Sequence, residues 1–139
     1  MKKKVAKKTK LSQSPTQLSL RWLREGLNTA QVVERWNPHA RIRQDLFGWC
    51  DIIALGENKI FGIQTTSRTN VLARVSKILE SKEARDWLLC DGAIRVHGWD
   101  KHQGRIRLQI TVIAFMRGTM CKLETYDVPN AFCKKLDEC

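Results

Sequence analysis

The sequence lacks the features that mark several well-defined classes of protein. Its five cysteines are scattered, and they form neither a Cys-x-x-C pair nor a Cys/His grouping with zinc spacing, which argues against a structural zinc site. No apolar run approaches the length of a membrane span. The Lys-rich start is not followed by the hydrophobic segment of a signal peptide. We therefore expect a reduced, cytoplasmic protein with no membrane partner.

Acidic residues are scarce compared with basic ones. The chain has 14 Asp and Glu against 25 Lys and Arg, which gives a net charge of +11. Removing the six lysines of residues 1–10 leaves +5, so the rest of the chain is basic by itself. A basic domain with a basic arm is typical of a polyanion binder, and on charge we expect the partner to be nucleic acid, the alternative being a charge that serves only solubility. The lysines predicted to contact it are Lys2, Lys3, Lys4, Lys7, Lys8 and Lys10.

Length and hydrophobic content predict one folded domain. The chain has 139 residues, of which 42% are hydrophobic and five are tryptophan, enough for a core but too few for two domains. We predict a disordered basic arm over residues 1–13 and a single domain over 14–139. Trp22, Trp36 and Trp87 are most simply core residues.

Hydrophobic periodicity predicts a mixed α/β fold with the element order α-β-β-β-α-β-β. The first helix should begin at Ser14-Pro15 and end at Gly26. The second should pack Leu72, Val75 and Leu79 on the sheet. Predicted strands cover 30–36, 41–48 (bent at Gly48 and leading into 51–55), 59–65, 93–99 and 105–114. Predicted helices cover 15–25 and 71–79, the latter with an extension through 81–89. A short strand near 123–128 and a closing helix over 129–136 complete the chain.

The segment 51–66 reads as a hairpin that brings polar side chains together. If Glu57-Asn58 is a two-residue turn, Asp51 lies directly opposite Gln64, and if Gly56 joins the turn, the two are diagonal neighbours. Thr66 shares a strand face with Gln64. A carboxylate and two oxygen ligands at one end of a sheet suit a hard divalent cation beside a phosphate.

This pattern resembles the core of the PD-(D/E)XK nuclease superfamily, and in particular its small Holliday-junction-resolvase-like and phage-encoded members. Gly48-x-x-Asp51 is followed by an apolar strand, a turn, and a second strand ending in Gln64-Thr65-Thr66. The family has an Asp on the first strand and an acid-x-Lys triplet on the second. Asp51 matches the Asp, whereas Gln and Thr stand where the family has the acid and the Lys.

The resemblance implies a restriction-endonuclease-like core, a metal-dependent endonuclease activity on DNA, and a bound Mg²⁺ or Mn²⁺. The implied metal ligands are Asp51, Gln64 and the Thr65 carbonyl, with an acid from the N-terminal region, for which Glu34, Asp45 and Glu25 are the alternatives. An ion pair with Arg35, Arg41 or Arg43 is an equal expectation for Glu34. With Asp51 as the one certain charge, ion affinity should be lower than in a two-carboxylate site.

A cation that offsets charge on the phosphate must come from outside the triplet, since Thr66 can orient a water or phosphate but carries no charge. Arg74 and Lys77 on the next helix are the candidates, together with Arg68, which we also assign to nucleic-acid binding. The alternative for residues 65–67 is an ordinary strand end.

A second group of candidates lies on the strand 93–99. Arg95, His97 and Trp99 share one face and are predicted to contact nucleic acid by charge and stacking, and His97 is also a candidate proton donor. The alternative is a half-buried aromatic strand end.

Three functions fit the sequence. The first is a metal-dependent endonuclease acting on DNA, and the second is a catalytically degenerate member of the fold that binds nucleic acid as an architectural or accessory module. The third is a basic adaptor or inhibitor that binds an acidic protein. The resemblance also allows a homodimer, since resolvase-like proteins are often dimers.

Overall fold

A computed structural model describes residues 11–132 and shows a mixed α+β fold. Within this range the chain forms three α-helices, a six-stranded mixed sheet and a separate two-stranded hairpin. The predicted fold class is therefore confirmed. The six lysines of the arm, and residues 133–136 of the predicted closing helix, lie outside the described range. No helix within the described range is long and apolar enough to cross a membrane.

The elements follow one another with short connections. The helices are α1 (Pro15–Glu25), α2 (Val71–Leu79) and α3 (Lys82–Leu89), and a short 3₁₀ turn (Arg68–Asn70) precedes α2. The strands are β1 (Thr29–Val32), β2 (Arg35–Asn37), β3 (Ile42–Gln44), β4 (Ile52–Gly56), β5 (Lys59–Ser67), β6 (Ala93–His102), β7 (Arg105–Met116) and β8 (Thr119–Val128).

The large sheet has the strand order β1-β4-β5-β6-β7-β8. All its neighbouring strands pair antiparallel except β5 and β6, which are parallel. A parallel pair needs a long crossover connection, and here α2 and α3 supply it. Strands β2 and β3 pair only with each other. They form a hairpin in the chain segment that connects β1 to β4.

The turn between β4 and β5 fixes the register that the site depends on. Glu57 and Asn58 have φ of 51° and 60°, the left-handed pair that a two-residue type I′ hairpin requires. Ile52 therefore pairs with Ile63, and the N–H of Asp51 donates to the Ile63 carbonyl at 2.9 Å. Of the two registers that the sequence allowed, the structure has the one with Asp51 directly opposite Gln64.

Helices cover both faces of the sheet. On one face, α1 packs Leu18 and Leu23 against apolar side chains of the sheet. On the other, Val75 and Ile78 of α2 share a core with Trp49. Apolar burial at about 25 cal/mol per Å² drives both contacts.

Two of the predicted strands are interrupted. Residues 30–36 divide into β1 and β2, because β1 pairs with β4 as far as Ile52 whereas β2 leaves the sheet to pair with β3. The predicted strand over 41–48 is only three residues long. It gives way to a tight turn in which Phe47 and Gly48 have φ of 56° and 76°.

The structure corrects three other predictions. Leu72 is 70% exposed, because Val71, Val75 and Ile78 form the buried stripe of α2. Trp36 is 58% exposed rather than in the core, because the hairpin that carries it leaves the sheet. The closing helix predicted from Pro129 is not formed within the described residues, where 129–132 are turns.

Candidate metal centre

Three carboxylates converge at the end of the β4–β5 hairpin. Glu34, Asp45 and Asp51 each offer one oxygen, and these oxygens all lie within 4.8 Å of one another. We call these residues the acid cluster. Asp51 directly precedes β4, and the other two flank the β2–β3 hairpin. Since Arg35 pairs with Gln44, the hairpin brings its two flanking acids together at its base.

The Gln64 amide belongs to the same site. Its Nε2 donates to Asp51 Oδ2 at 2.8 Å and lies 3.5 Å from Asp45 Oδ2. Gln64 is only 2% exposed, and its Oε1 is buried without a hydrogen-bond partner among the described residues. An orphaned buried acceptor costs about 1–3 kcal/mol. The two ends of an amide are nearly the same shape. Rotation of the Gln64 side-chain amide by half a turn would therefore place Oε1 where Nε2 now contacts the acids.

Thr65 holds Asp51 in place. Its N–H and its hydroxyl both contact Asp51 Oδ2, at 2.7 Å and 3.1 Å. Its hydroxyl also lies 2.7 Å from the hydroxyl of Thr16 in the first turn of α1. Thr65 therefore orients a candidate ligand, as outer-shell partners do in metal sites. The Thr65 carbonyl as a ligand stays a prediction.

Burial and like charge act together on Asp51. The side chain is 3% exposed, and its pKa is raised to about 8, first because burial disfavours the charged form and then because Asp45 shares a hydrogen bond with it. The neighbouring Cys50 thiol has its pKa raised to about 12, mainly by burial, so it is a protonated core residue rather than a soft ligand. Asp51 at neutral pH therefore favours either a proton or a compensating cation.

One charge of the acid cluster is already balanced. Arg43 Nη1 lies 2.9 Å from Glu34 Oε1. Glu34 is therefore placed both in the acid cluster and in an ion pair with an arginine, the two alternatives that the sequence left open. Glu25, the other N-terminal candidate, pairs with Arg21 at 3.2 Å and is outside the cluster.

The donor set fits a hard divalent cation. All the side-chain atoms that could bind one are carboxylate or amide oxygens, which Mg²⁺ and Mn²⁺ prefer over softer ligands. With the three acids ionised and Arg43 beside them, the site carries two net negative charges. A buried group that could hold a metal ion is therefore present.

The predicted phosphate-binding cations lie nearby in sequence but have varied surroundings. Arg74 is half-buried and Lys77 is exposed on α2, and neither forms an ion pair within residues 11–132. Arg68 contacts Asp127 at 2.7 Å through Nη2, whereas its Nη1 is buried without a partner in that range. Thr66, the third residue of the Gln64-Thr65-Thr66 triplet, is 5% exposed.

The expected open face of His97 and Trp99 is covered. Both are buried, at 1% and 0% exposure. Trp99 Nε1 donates to Ser19 Oγ at 2.7 Å, and that hydroxyl lies 2.8 Å from His97 Nδ1. Trp22 packs edge-on against the imidazole. We call Ser19, His97 and Trp99 the serine network. Because α1 seals this face, neither ring is presented to a nucleic acid here.

The imidazole of the serine network is neutral. Complete burial, and then the charge of Arg95, lower the pKa of His97 to about 3. Arg95 itself is half-buried, lies 5.3 Å over the Phe61 ring, and lines a cleft of about 170 Å³ with Trp22 and Tyr126. His97 lines the same cleft but is only 1% exposed, so Arg95 is the more accessible of the two.

Two polar residues on α1 were not predicted to matter. Thr16 contacts Thr65 and Ser19 joins His97 to Trp99. Both lie at helical spacing on the face that carries Leu23. The sequence did contain a sign of their role, which is a small hydroxyl residue within the apolar face of a helix. When that face is buried, the hydroxyl needs a polar partner.

No protein-family model matches the chain, and no curated protein or solved structure matches it either.

Proposed function

We propose that the chain is a metal-dependent nuclease of the PD-(D/E)XK type that binds DNA and cleaves its phosphodiesters. The observation that carries this proposal is the convergence of the acid cluster on a buried amide whose oxygen has no partner. Three neighbouring carboxylates, one of them buried, and an orphaned acceptor are costly to bring together unless a proton or a cation compensates them. The hairpin register and the mixed sheet support the same proposal.

Asp51, Asp45 and Glu34 would hold Mg²⁺ or Mn²⁺, together with Gln64 Oε1 after rotation of its amide. When bound, such an ion supplies Lewis-acid stabilisation of the phosphate and lowers the pKa of a water. The chain itself fixes the ligands. Thr65 keeps one Asp51 oxygen engaged by two donors, so the carboxylate needs little reorganisation when a ligand arrives.

The Gln64-Thr65-Thr66 triplet differs from the family's acid-x-Lys triplet, but a residue from another segment makes up part of the difference. Gln64 replaces an acid, but Asp45 reaches the same amide and supplies a carboxylate from another segment. The Lys position, by contrast, has no replacement within the triplet. We assign the offsetting of negative charge on the phosphate to Arg74 or Lys77, which follow the triplet on α2.

A catalytically degenerate nucleic-acid-binding module is the second candidate. The observation that favours it is Thr66, which is buried and uncharged where the family has a Lys. Such a module would keep the basic surface and the acid cluster but would not hydrolyse the phosphodiester.

Incubation of purified protein with duplex, junction and single-stranded DNA tests the proposal. We expect cleavage with Mg²⁺ or Mn²⁺ and none in chelator. Asp51→Ala should abolish it, whereas Gln64→Glu should retain it or tighten ion binding, because it restores a charge. DNA binding without cleavage of any substrate in either metal would contradict the nuclease and support the module.

A further inference from the structure

The β2–β3 hairpin joins two members of the acid cluster directly. Glu34 precedes β2 and Asp45 follows β3. Residues 35–44 contain three arginines and no acidic residue, and Arg35, Arg41 and Arg43 are all exposed. A basic ribbon therefore projects from the site that is proposed to act on a phosphate.

One face of this hairpin leads from the acid cluster to an exposed tryptophan. Trp36 pairs with Arg43 across the hairpin, so their side chains lie on the same face. By strand alternation that face also carries Glu34 and Asp45 at its base. Two residues of strand span about 7 Å, so the Trp36 backbone lies about that far from the Glu34 backbone at the edge of the acid cluster.

The exposure of Trp36 has no explanation in the core. Trp49 and Trp99 are fully buried, whereas Trp36 is 58% exposed. A large, rigid aromatic surface beside an arginine and within a net positive ribbon is suited to stacking on a nucleobase. Its charge is complementary to a nucleic-acid backbone and not to a basic protein such as a second copy of this chain.

We propose that Trp36 stacks on an unpaired base of the DNA substrate, so that an adjacent phosphate faces the acid cluster. The substrate class is therefore DNA with single-stranded nucleotides at the cleavage site, because a base within a duplex has both faces occupied by its neighbours. Arg35 and Arg41 add backbone contacts. This inference rests on the proposed function for the position of the phosphate, whereas the stacking itself requires no metal.

Binding in chelator tests the stacking separately from catalysis. The probes are a fluorescent single-stranded oligonucleotide and its duplex, measured by anisotropy at fixed salt with wild type, Trp36→Ala and Trp36→Phe. Stacking is worth about 1–3 kcal/mol per base, so Trp36→Ala should weaken single-strand binding about 5- to 150-fold. Duplex affinity should change far less, and Trp36→Phe should keep most of the affinity.

Leu123→Ala is the matched control, because Leu123 is 46% exposed on β8 and its loss should leave both affinities unchanged. Equal weakening of single strand and duplex by Trp36→Ala, or no weakening, would overturn the proposal. So would a change in oligomeric state with unchanged DNA affinity, which would assign the indole to a second copy. If the stacking result holds but no substrate is cleaved, it is the nuclease proposal that fails.

Discussion

Two polar groups beside the sheet, the serine network and the acid cluster, differ in whether their buried atoms all have hydrogen-bond partners. In the serine network, one hydroxyl serves both Trp99 Nε1 and His97 Nδ1, and the imidazole is neutral. In the acid cluster, three carboxylates meet, Asp51 carries a raised pKa, and Gln64 Oε1 has no partner within the described residues. Among the described residues, the first group leaves no buried side-chain nitrogen or oxygen without a partner, and the second group leaves one.

This difference separates a structural role from a binding role. A satisfied network stabilises the packing of α1 on the sheet and gains nothing from an added ion. A group of like charges with an orphaned acceptor gains stability from whatever neutralises it. Substitutions in the acid cluster should therefore change how a divalent cation affects stability, whereas substitutions in the serine network should not.

The largest effect should come from breaking the serine network. Ser19→Ala leaves Trp99 Nε1 and His97 Nδ1 buried without partners, at about 1–3 kcal/mol each, so we expect a loss of roughly 2–6 kcal/mol in the free energy of unfolding. Urea denaturation at pH 7 measures it, with Ser76→Ala on the exposed side of α2 as the control. The loss should be the same with Mn²⁺ as without. A loss that Mn²⁺ reverses would place the serine network in the metal site.

His97 and Asp51 should make contributions of opposite sign to the slope of unfolding free energy against pH. The pKa of His97 is lowered to about 3, so the unfolded chain binds more protons below pH 6.5, and stability is lost as pH falls through that range. The pKa of Asp51 is raised to about 8, so the native state holds the extra proton, and stability falls as pH rises towards 8.

The interval from pH 6.5 to 8 isolates Asp51. In chelator the wild type should lose up to about 2 kcal/mol across it, and Asp51→Asn should be flat. Below pH 6.5 the two groups oppose each other, and His97→Asn should expose the decline due to Asp51 alone. Urea denaturation across pH values measures these slopes. A wild-type stability that rises from pH 6.5 to 8 in chelator would contradict the assignment to Asp51.

The smallest effect on stability should come from Gln64. Gln64→Leu removes the Nε2 donor to Asp51, on which Thr65 keeps two other donors, and at the same time it removes the unsatisfied Oε1. In chelator, Gln64→Leu should therefore change the free energy of unfolding by less than about 1 kcal/mol, close to the change for the exposed control Gln31→Leu. With Mn²⁺ present, only Gln64→Leu should lose stabilisation. Equal behaviour of the two variants in Mn²⁺ would remove Gln64 from the ligand set.

Local chemistry made part of the acid cluster predictable. The turn at Glu57-Asn58 and strand alternation are short-range rules, and they placed Asp51 opposite Gln64 in one of two registers. Glu34 and Asp45 were named as available acids. Their meeting depended on a hairpin within 35–44 that the sequence concealed, because the apolar run over 30–36 reads as one strand.

The serine network shows what the sequence could not reveal. Alternation correctly put Arg95, His97 and Trp99 on one strand face, but whether that face is open depends on where α1 packs. Packing of a helix on a sheet is set by many contacts at long sequence separation. The same is true of Trp36, whose type predicted burial although its hairpin projects away from the sheet.

Calorimetric titration of Mn²⁺ into the protein at pH 7.5 tests whether the acid cluster binds a divalent cation. It needs no substrate and no turnover. We expect saturable binding of an ion by the wild type and its loss in Asp51→Asn, with Ser76→Ala binding like the wild type. Absence of binding by the wild type, or equal binding by Asp51→Asn, would show that the acid cluster is not a metal site.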